Sequence, residues 1–260
     1  MEKEQNSTVK MNRRGFLSTG AAAAVGTFTV IPSHLFAAGK SGQVPPSDRI
    51  RLLHIGCGSQ GLSELETLLK SPAIDVVGVA DPNRESYNYI HWSEYGLRDS
   101  LRRLMGEPAW KEGAKGIPGG RNIMKEVVDT YYRKNRPGYK GSTAVAEDCR
   151  ELLETLRDVD AVKIMSPDHH HAYQAIDCLK RGKHVAMHKP LGNKMAEAMK
   201  VVDVAKASPL STHMLAYNSI GDGQHVDQVK KWIEAGAIGR LREIHNWSNR
   251  PVWPQYPVIP

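Results

Sequence analysis

Cysteine is scarce in this chain, with three residues in 260, Cys57, Cys149 and Cys178. No two of them form a Cys-x-x-Cys pair, which excludes a disulfide framework and a dithiol redox motif and leaves them as small buried side chains. Long apolar runs are lacking too. The weakly apolar stretch from Thr19 to Ile31 is too short and too rich in Ala and Gly to cross a bilayer, so no stable membrane insertion is expected. Although the formal charge is +7 and the pI about 9.2, there is no basic stripe with interleaved aromatics. Pairs such as Arg102-Arg103, Arg133-Lys134 and Lys230-Lys231 are scattered among acids, which argues against nucleic acid and leaves a surface that attracts anionic small molecules. A composition of 40% hydrophobic and 24% charged residues excludes disordered and fibrous classes and suits one large domain or two smaller ones.

What is present is an ordered set of signals near the start of the mature part. The apolar run Ile50-Arg51-Leu52-Leu53-His54-Ile55 enters Gly56-Cys57-Gly58-Ser59-Gln60-Gly61. A helical stretch and a second apolar run, Ile74 to Ala80, then lead to Asp81, which lies 20 positions past Gly61. A strand turning straight into a helix leaves the first helical amides unpaired, where a diphosphate accepts their hydrogen bonds. Gly56 permits the tight turn, Gly58 lets phosphate approach the backbone, Ser59 and Gln60 open the helix, and Gly61 lets that helix pack on its strand. Asp81 accepts the adenosine ribose hydroxyls and repels a 2′-phosphate, so NAD is expected and NADP is less favoured, a preference that nearby Arg84 weakens.

Residues 1–38 read as an address to be removed before the fold is considered. Asn12-Arg13-Arg14-Gly15-Phe16-Leu17-Ser18 is a twin-arginine pattern, followed by an apolar middle and a small-residue end, Ala37-Ala38. A periplasmic or otherwise exported destination is the expectation. Twin-arginine export carries folded proteins, which suits an enzyme that loads a dinucleotide before leaving the cytoplasm.

Residues 39–48 read as a linker and 49–217 as the nucleotide-binding domain. Within it, residues 87–140, a polar segment from Tyr87 to Tyr139, are expected to form a helix and an extended surface insertion. Alternation then resumes. Helices are expected at 147–157, at 170–181 with Ala172, Ala175, Ile176 and Leu179 on one face, and at 194–207 with Met195, Met199 and Val202 aligned. Strands are expected at 161–165, 184–187 and 212–217. Strands alternating with helices imply an α/β fold of the Rossmann type, a doubly wound parallel sheet that binds ligands beyond the carboxyl ends of its strands. That edge carries Gly56 to Gly61, Asp81, the 166–171 loop and the 188–193 loop. A helix at 224–235 with Val226, Val229 and Ile233 on one face and a strand-like run at 241–247 open residues 218–260, read as the truncated start of a second domain. The run His169-His170-His171 invites a metal reading, but adjacent side chains on a turn diverge, so no metal site is expected.

Four segments together resemble the Gfo/Idh/MocA oxidoreductases, in particular an exported branch. They are the glycine loop with Asp81; Asp160-Ala161-Val162 leading to Ser166-Pro167-Asp168-His169-His170-His171-Ala172; Gly182-Lys183-His184-Val185-Ala186-Met187-His188-Lys189-Pro190-Leu191; and Gly236 to Arg240 running on to Asn249-Arg250-Pro251-Val252-Trp253-Pro254-Gln255. The resemblance implies an NAD-dependent enzyme that moves hydride between nicotinamide and a sugar or polyol carbon. It assigns Lys189, the Lys of a Glu-Lys-Pro motif, to the reacting hydroxyl, and it places Ser166, Pro167, Asp168, His171 and His188 beside the cofactor. The sequence departs from that pattern at His188, where Glu is usual. Family members continue into an antiparallel sheet domain supplying an Asp and a His, so the chain is expected to be a fragment or truncated product that forms a homo-oligomer through that domain when complete. Two other functions stay open on the sequence: an NAD-dependent glycoside hydrolase working by transient oxidation, which retained Lys189 disfavours, and a non-catalytic NAD-binding remnant.

Overall fold

The computed structural model describes residues 44–91, 93, 95–136, 138–215 and 224–245. The export signal, the first part of the linker, residues 216–223 and the closing Asn-Arg-Pro segment lie outside the described residues.

Six strands form one parallel sheet: β1 (Ile50–Ile55), β2 (Ile74–Ala80), β3 (Ala144–Ala146), β4 (Ala161–Ile164), β5 (His184–His188) and β6 (Thr212–Leu215), in the order β3-β2-β1-β4-β5-β6. The order reverses at β1, and the switch point therefore opens between the ends of β1 and β4. The helices are α1 (Ser59–Ser63), α2 (Leu65–Lys70), α3 (Gly96–Met105), α4 (Arg121–Asn135), α5 (Cys149–Thr155), α6 (Asp168–Lys180), α7 (Met195–Lys206) and α8 (Gln224–Glu234). The α/β expectation holds for the nucleotide-binding part.

The sheet alternates its side chains between two cores, as a pleated strand buried on both faces must. On one face Leu52, Val76 and Val79 pack with Leu62, Leu65 and Leu69 of α1 and α2. On the other, Leu53, Ile55, Val162, Ile164, Val185 and Met187 meet Leu152, Ala175, Leu179 and Val201 from α5, α6 and α7.

Three sequence expectations are corrected by this packing. Residues 87–140 are not an extended surface insertion. They form two helices whose Leu97, Leu101, Met105, Ile123, Met124, Val127, Val128 and Tyr132 are buried in the first core, and the Val76 amide donates to the Tyr132 hydroxyl at 2.9 Å. Polar outer faces hid that apolar stripe. In α7 the buried position is Val201, with Val204 and Ala205 packed beside it, while Met195 and Met199 are exposed. The helix turns its smaller residues inward, where they allow closer approach to α6. Residues 241–245 adopt no strand. The three-residue β3 was not foreseen, because its placement comes from pairing Gly78, Val79 and Ala80 with Ala144, Val145 and Ala146 rather than from any alternation of its own.

Candidate dinucleotide-binding site

Chain turning fixes the shape of the glycine loop. Gly56 has φ +91°, and a Cβ there would stand 2.4 Å from the Met165 carbonyl carbon, so only glycine lets β1 turn against the β4–α6 loop. A Cβ on Gly61 would fall 2.5 Å from the Gly56 oxygen, which is how closely α1 sits on the turn it follows. The first bond into the helix runs from the Leu62 amide to the Gly58 oxygen at 3.0 Å. Helix geometry leaves the amides of Ser59, Gln60 and Gly61 without an intrahelical acceptor, as an anion site requires. Tyr89 stands over this loop: a Cβ on Gly58 would be 3.1 Å from its ring, and the Ser59 hydroxyl donates to the neighbouring Ile90 carbonyl at 2.7 Å.

Asp81 directly follows β2 and faces the same loop. Its carboxylate accepts from the Cys57 amide at 2.6 Å and from the Asn83 amide at 2.7 Å. A carboxylate offers about four lone-pair sites, so acceptor capacity is left for ribose hydroxyls. The cation at this turn is Arg121, whose guanidinium donates to the carbonyls of Asp81 at 2.9 Å and Pro82 at 2.8 Å and lies 3.7 Å from Glu147. Arg84, the cation singled out from sequence proximity, is exposed, and neither it nor Arg121 is among the residues lining the cleft over the switch point. Arg121 is 40 residues from Asp81 in sequence, and no short-range signal could have found it.

A cleft of about 970 Å³ opens over the switch point, at the upper end of ligand sites. Of the residues named from the sequence, Gly56, Gly58, Ser59, Gln60, Gly61, Asp81, Ser166 and Pro167 line it. Tyr89, Glu147, Asp148, Arg150, His170, Tyr173 and Gln174 line it as well and were missed. Asp148 caps α5 by accepting from the Arg150 amide at 2.9 Å and holds the Arg150 side chain through both oxygens, which lowers the Asp148 carboxyl below its usual value. An Asp just before a helical stretch was the signal available for it.

The other four predicted cofactor residues, Asp168, His171, His188 and Lys189, do not line the cleft. Asp168 is exposed in the first turn of α6. His171 is fully buried and serves the backbone: Nδ1 lies 2.6 Å from the Pro190 oxygen and Nε2 2.8 Å from the Ser166 oxygen. His188 closes β5, buried, with Nε2 3.5 Å from a Glu64 oxygen and Nδ1 3.3 Å from the Lys189 carbonyl. Burial pushes its ring below the usual imidazole value against the pull of Glu64. Lys189 follows at the carboxyl end of β5, exposed rather than partly desolvated. Strand and helix packing brings the two histidines under the turn; their roles were illegible because burial is decided by neighbours far away in the chain.

Fold and cleft together define a dinucleotide-binding Rossmann domain. The groups present fit a diphosphate at the α1 amides and a ribose at Asp81. Residues 126–215 match the model of the GFO_IDH_MocA group, "Oxidoreductase family, NAD-binding Rossmann fold". The chain is 34% identical over 121 residues to a levoglucosan dehydrogenase of Pseudarthrobacter phenanthrenivorans, a match covering 45% of this chain and 30% of that protein. It is 32% identical over 131 residues to an inositol 2-dehydrogenase of Rubrobacter xylanophilus, covering 50% and 37%. A glycosyl hydrolase family 109 protein of Shewanella baltica is 24% identical over 243 residues, 89% of this chain and 44% of that one. Among solved structures, the myo-inositol 2-dehydrogenase of Lactobacillus plantarum aligns at TM-score 0.46 with 17% identity, over 74% of this chain and 43% of that one. The chain thus spans less than half the length of these relatives. The family match is confined to residues 126–215.

Proposed function

We propose that the protein is an NAD-dependent oxidoreductase that moves hydride between nicotinamide and a hydroxyl-bearing carbon of a sugar or polyol. The observation that carries this reading is the continuous cleft in which the glycine-loop amides, Asp81 and the Ser166–Pro167 loop meet at the switch point, with Lys189 at the end of a neighbouring strand. NAD, when bound, supplies the hydride acceptor. The amides of Ser59 to Gly61 hold its diphosphate, and Asp81 holds its adenosine ribose and turns away a 2′-phosphate. Removal of hydride from a carbinol carbon requires its hydroxyl to lose a proton; the Lys189 ammonium stabilises the charge that develops on that oxygen. The names of the dehydrogenase relatives suggest inositol and levoglucosan as first substrates to try. The test is NAD reduction with such a panel, in wild type and in Lys189→Met. The variant is expected to bind NADH and turn nothing over, and unchanged turnover removes Lys189 from the mechanism.

A second reading has one observation in its favour: the hydrolase match spans 89% of this chain, against about half for either dehydrogenase. Release of nitrophenol from aryl glycosides without added cofactor separates the two. Export by the twin-arginine route is part of the proposal as well, resting on residues 12–18. Replacing Arg13 and Arg14 by Lys is expected to hold the protein in the cytoplasm, as read by cell fractionation.

A further inference from the structure

Tyr89 stands in the cleft wall and takes no part in the mechanism above. It is half-buried, and two glycine backbones clamp its ring: a Cβ on Gly58 would lie 3.1 Å from Cε1, and one on Gly119 would lie 2.3 Å from Cε2 on the opposite edge. Only glycine at 119 lets the ring keep this place. The turn that carries Gly119 is tied down on two sides, since Gly119 and Ser86 exchange backbone bonds at 2.9 and 3.0 Å and the Gly120 amide donates to the Cys57 carbonyl at 2.8 Å. With the Ser59 hydroxyl on the Ile90 carbonyl at 2.7 Å, the segment bearing Tyr89 is fastened to the glycine loop itself.

The Tyr89 hydroxyl is held on the Asp81 side of the cleft. It accepts from the Asn83 side-chain amide at 3.0 Å, whose other hydrogen goes to the Ser86 hydroxyl at 2.7 Å, while the Asn83 backbone amide donates to Asp81 at 2.7 Å. Burial, then the Asp81 charge, pushes the phenol above the usual tyrosine value, so it keeps its proton at neutral pH. Among the described residues that proton has no acceptor. A donor without an acceptor therefore stands beside a carboxylate with acceptor capacity to spare.

We propose that Tyr89 is a second ribose-binding residue: its hydroxyl donates to the same adenosine ribose hydroxyl that donates to Asp81. The inference rests on the dinucleotide reading above. A ribose hydroxyl carries one proton and two lone pairs, so it can satisfy a carboxylate acceptor on one side and a phenol donor on the other. Asp81 can only accept; the phenol, oriented by Asn83, supplies the donor that the carboxylate lacks. Residues 87–140 thereby gain a part in the site, for they contribute both the ring and the Gly119 backbone that holds it.

The test is calorimetry on the full chain with NAD and with its adenosine 2′-deoxy and 3′-deoxy analogues. Tyr89→Phe keeps the ring between the two glycines and removes the hydroxyl alone. Its NAD affinity should fall about 3- to 10-fold, as one neutral hydrogen bond is worth. With one of the two analogues, variant and wild type should bind alike, because the partner hydroxyl is then missing from both complexes. Equal affinity of the two proteins for NAD overturns the proposal. So does a loss that persists with both analogues, which would put the phenol on a phosphate oxygen. In wild type the ¹³Cζ resonance of Tyr89 should move on saturation with NAD; a resonance that stays in place overturns the proposal even if the variant fails to fold. If wild type binds no NAD, the dinucleotide reading falls and takes this role with it, whereas wild-type binding that Tyr89→Phe leaves untouched removes the Tyr89 role alone.

Discussion

Asp81 does two things with one carboxylate. It accepts from the Cys57 and Asn83 amides and so shapes the loop, and its charge faces the place where ribose would lie. Two substitutions separate these tasks. Asp81→Ala leaves both amides without their acceptor and should weaken NAD binding about 10- to 100-fold, the worth of one or two charge-assisted bonds. Asp81→Asn keeps an acceptor but not the charge, so the ratio of NAD to NADP affinity should collapse while NAD binding falls less; calorimetry with both nucleotides reads the difference. The glycine loop and Asp81 were legible in the sequence because each residue type answers a local demand of strand, turn and helix. His54 shows what was not. It reads as one position in an apolar run, yet it is wholly buried, and among the described residues its ring nitrogens meet no well-formed hydrogen-bond partner, with the Gly56 backbone nearby. Burial, then the Lys163 charge, depresses its pKa from 6.5 to about 3. The unfolded chain takes up the proton first, so His54 costs nothing above pH 6.5 and destabilises progressively as pH falls toward 3. At about pH 5 the loss is roughly 2 kcal/mol. Denaturant melts of His54→Leu should lack that share of the acid sensitivity; identical pH profiles for variant and wild type would sink the assignment.

At the scale of elements, sequence patterning found every strand except β3 and every helix that follows a strong apolar period. It failed over residues 87–140, where an apolar stripe on α3 and α4 is diluted by arginines and tyrosines whose polar ends find partners inside. Arg98 is buried with its guanidinium donating to the Gly116 carbonyl, and the Trp110 indole donates to Glu126 at 2.9 Å. Tyr132 is the clearest instance, for its ring lies in the core and its hydroxyl serves the amide of Val76 in β2. Tyr132→Phe keeps the packing and strands that buried amide, which should cost about 1–3 kcal/mol of unfolding free energy. Were the segment a surface addition, the change would be neutral in a chemical melt. The same logic explains α7: Met195 and Met199 promised a buried face by spacing alone, but the helix is oriented by Val201 and Ala205, and Met195→Lys should stay within about 0.5 kcal/mol of wild type.

For the molecule as a whole, the sheet brings to one edge groups that are more than a hundred residues apart in sequence, Gly56 and Pro167 among them, and the cleft exists only while that sheet is intact. A dinucleotide bound there contacts the folded state alone, and it must then stabilise the fold by mass action. At NADH concentrations ~100 times Kd the gain is about 2.7 kcal/mol, which for a domain of this size raises the melting temperature by roughly 5–10 °C. Gly58→Val places a branched side chain where the Tyr89 ring already stands within contact distance and where phosphate would approach the loop. That variant should melt somewhat below wild type without nucleotide, because the Tyr89 ring must give way, and show no rise with nucleotide. NADP should raise the wild-type midpoint less than NADH at equal concentration, because the cleft is lined by the carboxylates of Asp81, Glu147 and Asp148 while Arg121 and Arg150 are engaged by Glu147 and Asp148. An equal rise with both nucleotides would mean that this end of the cleft does not read the ribose by charge, and the preference for NAD would have to be abandoned even if the binding site itself stood.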